Sequence, residues 1–323
     1  MKTKLKLSVA CGIAALLVGL NVQAEEKTFS IGGDLELDLT AKDTDAGGSS
    51  YYNGGRVKLN ATGELKGDNY FIKGVAQPLV PFKGNSLGYD DVYLQMGRSN
   101  WDVQIGRFEG IDLFPVGKDT VAEHAGGMGP YGTNAARGRK DNVIHTAFHL
   151  KPNDAMNFEL GVMGAKNTSD FDKFAAVRPA VTYKAGAFAL RAGLESVKST
   201  PVGGTESSHT GFGLGAGFDV AGGTANASFS KKNADNDGVD TTSVALNFTQ
   251  GPWGVGYITS KDDMASADPK LNTFFGAYTL PLFGSKDASV TFAASTSKAT
   301  DIGGVKGTDD KVNAARVRFN YTF

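Results

Sequence analysis

Ala315-Arg316-Val317-Arg318-Phe319-Asn320-Tyr321-Thr322-Phe323 puts an apolar residue at every odd position and Arg, Arg, Asn and Thr at the even ones. A period of two belongs to a β-strand, whose successive side chains leave opposite faces, so the segment reads as a strand with one greasy face and one charged face. The same pattern recurs upstream. Ile31, Leu35, Leu37 and Leu39 alternate with Asp34, Glu36 and Asp38, while Val57, Leu59 and Ala61 alternate with Arg56, Lys58, Asn60 and Thr62. Gly supplies 43 of 323 residues, about twice the ~7% of average chains, which favours strands and turns over helices.

Sixteen such segments are predicted, at 27–40, 52–65, 69–78, 89–98, 101–108, 141–150, 155–166, 175–184, 187–198, 209–220, 224–232, 240–250, 253–261, 271–280, 288–298 and 312–323. Tight turns such as Ser99-Asn100, Ala185-Gly186 and Gly251-Pro252 are expected to alternate strictly with longer polar loops near 41–51, 79–88, 109–140, 167–174, 199–208, 233–239, 262–270 and 299–311. Segments of about ten residues match the ~9–11 of a tilted membrane-spanning strand and exceed the ~5–6 of soluble sheets. Aromatic residues gather at segment ends, at Tyr51, Tyr52, Tyr70, Tyr89, Trp101, Trp253, Tyr257, Tyr321 and Phe323, as two interfacial girdles require. Only closure into a barrel satisfies every backbone N–H and C=O of such strands in lipid. The expected fold is therefore all-β, a transmembrane antiparallel β-barrel of sixteen strands, or fourteen if 79–98 and 288–298 are misdrawn. Sixteen strands enclose more space than side chains fill, so the lumen should hold water.

Lys2, Lys4 and Lys6, an apolar run from Leu7 to Leu20 and Val22-Gln23-Ala24 have the order of a secretory signal peptide. Cleavage after Ala24 would leave one barrel domain, 25–323, with no thiol, because the single cysteine is Cys11. Loss of the three lysines takes the formal charge from -1 to -4, which leaves no basic footprint for nucleic acid.

Enzymatic signals are weak. His124, His145, His149 and His209 fall in no catalytic or zinc spacing. His145 and His149 share a strand face about 13 Å apart at ~3.3 Å per residue, too far to hold one metal, and read as polar lumen residues. Asn233-Ala234-Asp235-Asn236-Asp237-Gly238 opens like a calcium loop but has Val244 at the twelfth position. No cofactor, metal or catalytic residue is expected.

Over its mature length the chain resembles Gram-negative outer-membrane porins. The resemblance rests on the leader, the sixteen alternating segments, the terminal Val317-Arg318-Phe319-Asn320-Tyr321-Thr322-Phe323 and one long loop after the fifth strand. It implies residence in the outer membrane among lipid and lipopolysaccharide, a homotrimer, a Phe323 read by the barrel-assembly machinery, and a third external loop, Glu109 to Lys140, folded into the pore. Ile111, Leu113, Phe114 and Val116 would be costly on a wet loop tip, which also favours inward folding. The expected constriction residues are Phe108, Glu109, Asp112, Phe114, Lys118, Asp119, Glu123, Tyr131, Arg137 and Arg139. Leu113-Phe114-Pro115-Val116-Gly117-Lys118-Asp119 stands where general porins carry Pro-Glu-Phe-Gly-Gly-Asp, so their acidic eyelet does not carry over. The loop's aromatic and mixed-charge content is closer to glycoporins of raffinose and melibiose uptake, with Phe108, Phe114 and Tyr131 as faces for sugar rings. Asp34, Glu36, Asp38, Arg56, Lys58, Lys73, Arg178, Lys184, Arg191, Arg316 and Arg318 are expected to point into the lumen, because a basic residue on the lipid face costs ~2–4 kcal/mol at the midplane. The implied function is passive diffusion of small hydrophilic solutes, oligosaccharides favoured. The alternatives are a general ion and nutrient porin and, in another class, a barrel enzyme or adhesin.

Overall fold

Each alternating segment becomes a strand. The computed structural model describes residues 26–84, 87–235 and 238–323; the leader expected at 1–24 lies outside them, as do Asn236 and Asp237 of the calcium-like stretch. Among the described residues sixteen strands run β1 (Glu26–Thr44), β2 (Gly48–Gly67), β3 (Tyr70–Pro81), β4 (Gly88–Arg98), β5 (Trp101–Arg107), β6 (Ile144–Asn153), β7 (Met156–Lys166), β8 (Phe171–Ala185), β9 (Phe188–Pro201), β10 (Ser207–Val220), β11 (Gly223–Ala234), β12 (Asp240–Gln250), β13 (Trp253–Asp263), β14 (Lys270–Pro281), β15 (Ala288–Thr300) and β16 (Asp310–Thr322). Every strand pairs antiparallel with the next, and β16 pairs with β1 to close the barrel. The fourteen-strand alternative is thereby excluded.

Closure is set by register. Leu39 lies opposite Val317 and Asp38 opposite Arg318, so the greasy faces of β1 and β16 meet outside while their charges meet inside. The last residue finishes the seam: the Gly33 N–H donates to the Phe323 carbonyl at 2.8 Å, and the Phe323 N–H to that of Gly33 at 3.0 Å. Outside, Leu35, Leu39, Leu160, Leu246, Phe292 and Phe319 stay exposed, as lipid-facing side chains must. Tyr51, Tyr89, Trp253, Tyr321 and Phe323 are likewise exposed. Tyr52 departs from the expected girdle: it is the partner of Thr40, and its hydroxyl donates to Glu123 inside the barrel.

The connections differ from expectation at one end. Three of the loops foreseen opposite the termini are largely continuations of the strands, ending in short tips at residues 45–47, 167–170 and 202–206. The connection at residues 282–287, on the terminus side, is longer than the first of these, so strict alternation of short and long fails. Polar residues that keep the β period beyond the membrane still pair their backbones, which is why Ser49, Ser50 and Lys42 read as loop but extend the ladder. The longest connection is that from β5 to β6, residues 108–143, which carries the barrel's main buried apolar contacts.

Candidate functional site

β5 holds only seven residues, so the chain leaves the wall part-way up and turns inward. Its two limbs are pinned together where the Gly110 N–H donates to the Arg137 carbonyl at 2.8 Å and the Arg139 N–H to the Phe108 carbonyl at 3.1 Å. Gly138 sits at that crossing with φ +133°, and a Cβ there would strike the Phe108 carbonyl oxygen, so the crossing requires glycine.

From there the loop lies along the inner faces of β9 to β16. Leu113 is 1% exposed and rests on Gly193 and Gly213, where an added Cβ would come within 2.5 Å of its Cδ1 and 3.2 Å of its Cβ. The Gly211-Phe212-Gly213-Leu214-Gly215 tract is the floor on which the loop lies, and Tyr131 fills the space beside Gly211. Phe114 packs with Ala245, Ile258 and Phe275, Val121 with Ala277, Ala293 and Ala314, and Ala125 with Leu271, Ala299 and Val312. Small wall residues leave the depth that the loop's apolar residues occupy.

Polar wall residues meet the loop's backbone. Arg178, 1% exposed, donates from Nη2 to the Ile111 carbonyl at 2.8 Å and from Nε to the Thr133 carbonyl at 3.0 Å, and its Nη1 is 3.4 Å from Glu159. It therefore holds both limbs. Glu159 accepts the Ile111 N–H, while Glu195 accepts the Ala136 N–H and the Tyr131 hydroxyl. Burial, with Glu195 beside it, pushes the Tyr131 phenol far above its ordinary value, so it stays a hydrogen-bond donor. Asn247 donates to the Pro115 carbonyl, Arg316 to those of Asp119 and Thr120, and Ser243 and Ser297 accept the Tyr131 and Ala125 N–H groups. Each buried backbone group met in this way avoids a desolvation cost of ~1–3 kcal/mol.

The opposite side of the lumen is different. Arg137 lies 3.4 Å from Glu109 and 3.9 Å from Asp112; Arg139 reaches Glu109 at 3.5 Å, Asp90 at 2.6 Å and Asp91 at 2.8 Å. Lys58 joins Asp90 at 3.6 Å to Asp34 at 3.5 Å, and Arg56 joins Asp34 at 3.4 Å to Glu36 at 2.5 Å. Arg318 then joins Glu36 at 3.5 Å, Asp38 at 2.7 Å and Asp119 at 3.9 Å, which returns to the loop. The result is a ring of alternating charge whose last side is the loop segment from Asp112 to Asp119. Its members keep 15–41% of their side-chain exposure, so water reaches them inside the barrel. Eight carboxylates face five basic groups, an excess of three negative charges.

The remaining expected residues divide accordingly. Glu123 pairs with Lys42 at 2.9 Å, beside the ring. Lys73 stands opposite Glu64 on β2 and Gln95 on β4, and the Arg191 Nη1 donates to Asn226. Lys118 does not join the constriction charges, because its ammonium caps the Gly251 carbonyl at a turn. Phe108 and Phe114 are corrected as sugar faces: Phe108, 1% exposed, stacks on His145 with centroids 4.0 Å apart, and Phe114 is 7% exposed among wall residues. Arg178 and Arg316 point inward but serve the loop rather than the lumen. His149 is buried with Nδ1 2.6 Å from Asp102 and Nε2 3.3 Å from Glu159, and His145 lies under Phe108, so neither is an open lumen residue. Among the described residues no His, Cys, Asp and Glu group is placed to hold a metal ion.

The profile of the porin-like glycoporin RafY family matches residues 36–323. The chain belongs to this family. Its fold is similar to that of an anion-selective porin from Comamonas acidovorans, at 16% identity and TM-score 0.69, over 92% of this chain and 100% of that one. It is also similar to in-vitro folded OmpT, an outer membrane protein of Vibrio cholerae in its trimer form (13% identity, TM-score 0.68, 93% of this chain and 100% of that one). A triple mutant of Rhodopseudomonas blastica porin gives 14% identity and TM-score 0.57 over 91% and 100% of the two chains. At these identities the likeness is one of fold. Among curated proteins no sequence matches. The porin is thus a channel of the Gram-negative outer membrane, with the termini on the periplasmic side and the loop entering from outside, as such barrels are arranged.

Proposed function

We propose that the porin passes small hydrophilic solutes through the gap between its inner loop and the wall of β1, β2, β4 and β16, with oligosaccharides as the favoured class. The observation that carries this is the water-exposed ring of alternating charge, set against a loop whose other side is packed onto the wall. Donors and acceptors placed around a narrow aqueous passage replace part of the hydration of a polyhydroxylated solute while holding it weakly enough to leave. The family's description as a glycoporin supports the sugar class. The excess of carboxylates in the ring favours a second reading, a general porin that prefers cations.

The same reading holds the ring to be the narrowest point, the leader to be removed after Ala24, and Phe323 to be the assembly signal. A trimer is favoured by the trimer form of the Vibrio cholerae neighbour. The channel is read as non-enzymatic, which the family's description as a porin supports.

The test is reconstitution of the purified protein in planar bilayers with raffinose or melibiose added. Stepwise conductance with reversible, concentration-dependent sugar blockade is the expected result. Conductance that no oligosaccharide alters would decide for the general porin.

A further inference from the structure

Sugar recognition needs a flat aromatic face beside half-exposed polar groups, because a sugar ring has an apolar C–H face and a rim of hydroxyls. Phe108 and Phe114 cannot supply that face, being buried against the wall, and Tyr131 is tied to Glu195 beneath the loop. An aromatic that can is Tyr52, which the sequence assigned to the membrane girdle.

Tyr52 shares the lumen-facing parity of β2 with Arg56 and Lys58 and lies opposite Thr40. It keeps 40% exposure, and its hydroxyl donates to Glu123 Oε1 at 3.3 Å, which fixes the ring's direction. The carboxylate of Glu123 and the ammonium of Lys42, 2.9 Å apart, retain 28% and 29% exposure and so offer an acceptor and a donor at the ring's edge. The next lumen-facing position is Gly54, where an added Cβ would meet only the Asp38 Cβ, at 3.9 Å. That leaves open floor between Tyr52 and the row in which Asp38 meets Arg318, one two-residue step of ~6.6 Å along the strand and about one sugar ring wide. Lys83 lies 6.0 Å from the Tyr52 centroid, at the limit of cation–π range, where an arriving ring can displace its flexible stem.

We infer that Tyr52 is a stacking platform for one pyranose unit on the extracellular approach to the charged ring, with Glu123, Lys42 and Asp38 beside it for the hydroxyls. This rests on the sugar-passing reading above. A single half-exposed platform binds weakly, which suits a site that a solute must leave.

The experiment is planar-bilayer recording of the whole protein with raffinose as the probe, comparing unaltered channel, Tyr52→Ala and Tyr52→Phe, each shown to be folded by heat-modifiable gel mobility. Tyr52→Ala should raise the half-blocking concentration about three- to tenfold, the size of one aromatic contact, while Tyr52→Phe, which keeps the stacking face, stays near the unaltered value. Open-channel conductance without sugar should not fall in either variant. Blockade of Tyr52→Ala as strong as that of the unaltered channel would overturn the site and leave the sugar reading standing. Equal losses in both variants would overturn stacking in favour of the hydroxyl. Absence of blockade in the unaltered channel would overturn both the site and the reading.

Discussion

The lumen faces of β9 to β15 and of β1, β2, β4 and β16 follow the same alternation, yet they are made for opposite purposes. The first is mostly Gly, Ala, Ser and Thr, with Ser228, Ser230, Ser243, Thr273 and Ser297 buried under the loop. The second is Asp, Glu, Arg and Lys, half-exposed and linked in a ring. Small side chains let a second layer of protein approach; long charged ones hold it off and keep water. The asymmetry of residue size around one barrel therefore decides where the loop lies and, by exclusion, where the channel runs.

The largest effect should come from the residue that joins the two halves of the loop to the wall. Arg178→Met removes one of the two side chains paired with Glu159, leaving His149, and frees the Ile111 and Thr133 carbonyls, each unmet group costing ~1–3 kcal/mol. A lower thermal unfolding midpoint and noisy, enlarged single-channel currents are expected. Arg191→Met, at a half-buried arginine bonded among the described residues to Asn226 alone, should change either quantity little.

A methyl-scale test on each half sharpens the contrast. Gly213→Val intrudes on Thr133 and Leu113, and overpacking of this kind costs about 1–3 kcal/mol. Gly54→Val meets open space, so stability should hold while conductance falls. Thermal melts and bilayer recordings of the pair separate the two walls.

Much of this was legible in the residues. The period of two located all sixteen strands, because lipid on one side and water on the other impose it. Parity also predicted that Arg178, Arg316 and Arg318 point inward, but not what each would meet there: the first two hold the loop and the third belongs to the ring. The apolarity of Phe114 signalled burial, whereas the direction of burial depended on Ala245, Ile258 and Phe275, which lie more than 100 residues along the chain and touch it only once the barrel closes. Tyr52 was misread because composition at strand ends outweighed its parity, which Arg56 and Lys58 had already fixed.

Smaller effects concern charge and pH. Asp119→Asn removes one carboxylate from the ring, and the permeability of cations relative to anions should fall by up to ~fivefold, the Boltzmann weight of the ~1 kcal/mol that one charge exerts at 4 Å in water. Zero-current potentials in a salt gradient measure it. His124, hydrogen-bonded to Thr273 at 2.9 Å, has its pKa held below the ordinary histidine value by burial, with Glu123 opposing. A lowered folded-state pKa means that its contribution to stability is complete above ~6.5, the ordinary histidine value, and is lost as pH falls through the folded value. Unfolding midpoints measured from pH 7.5 to 5 should decline less steeply in His124→Asn than in the unaltered protein.

The channel's course can be tested directly, because Cys11 is the only cysteine in the sequence. In a Cys11→Ser background, Gly54→Cys places a thiol on the charged wall and Ser243→Cys places one under the loop. A charged methanethiosulfonate reagent added during bilayer recording should step the current down in Gly54→Cys and leave Ser243→Cys unchanged. Rapid modification of Ser243→Cys with Gly54→Cys silent would place the aqueous path on the other side of the loop and contradict the account.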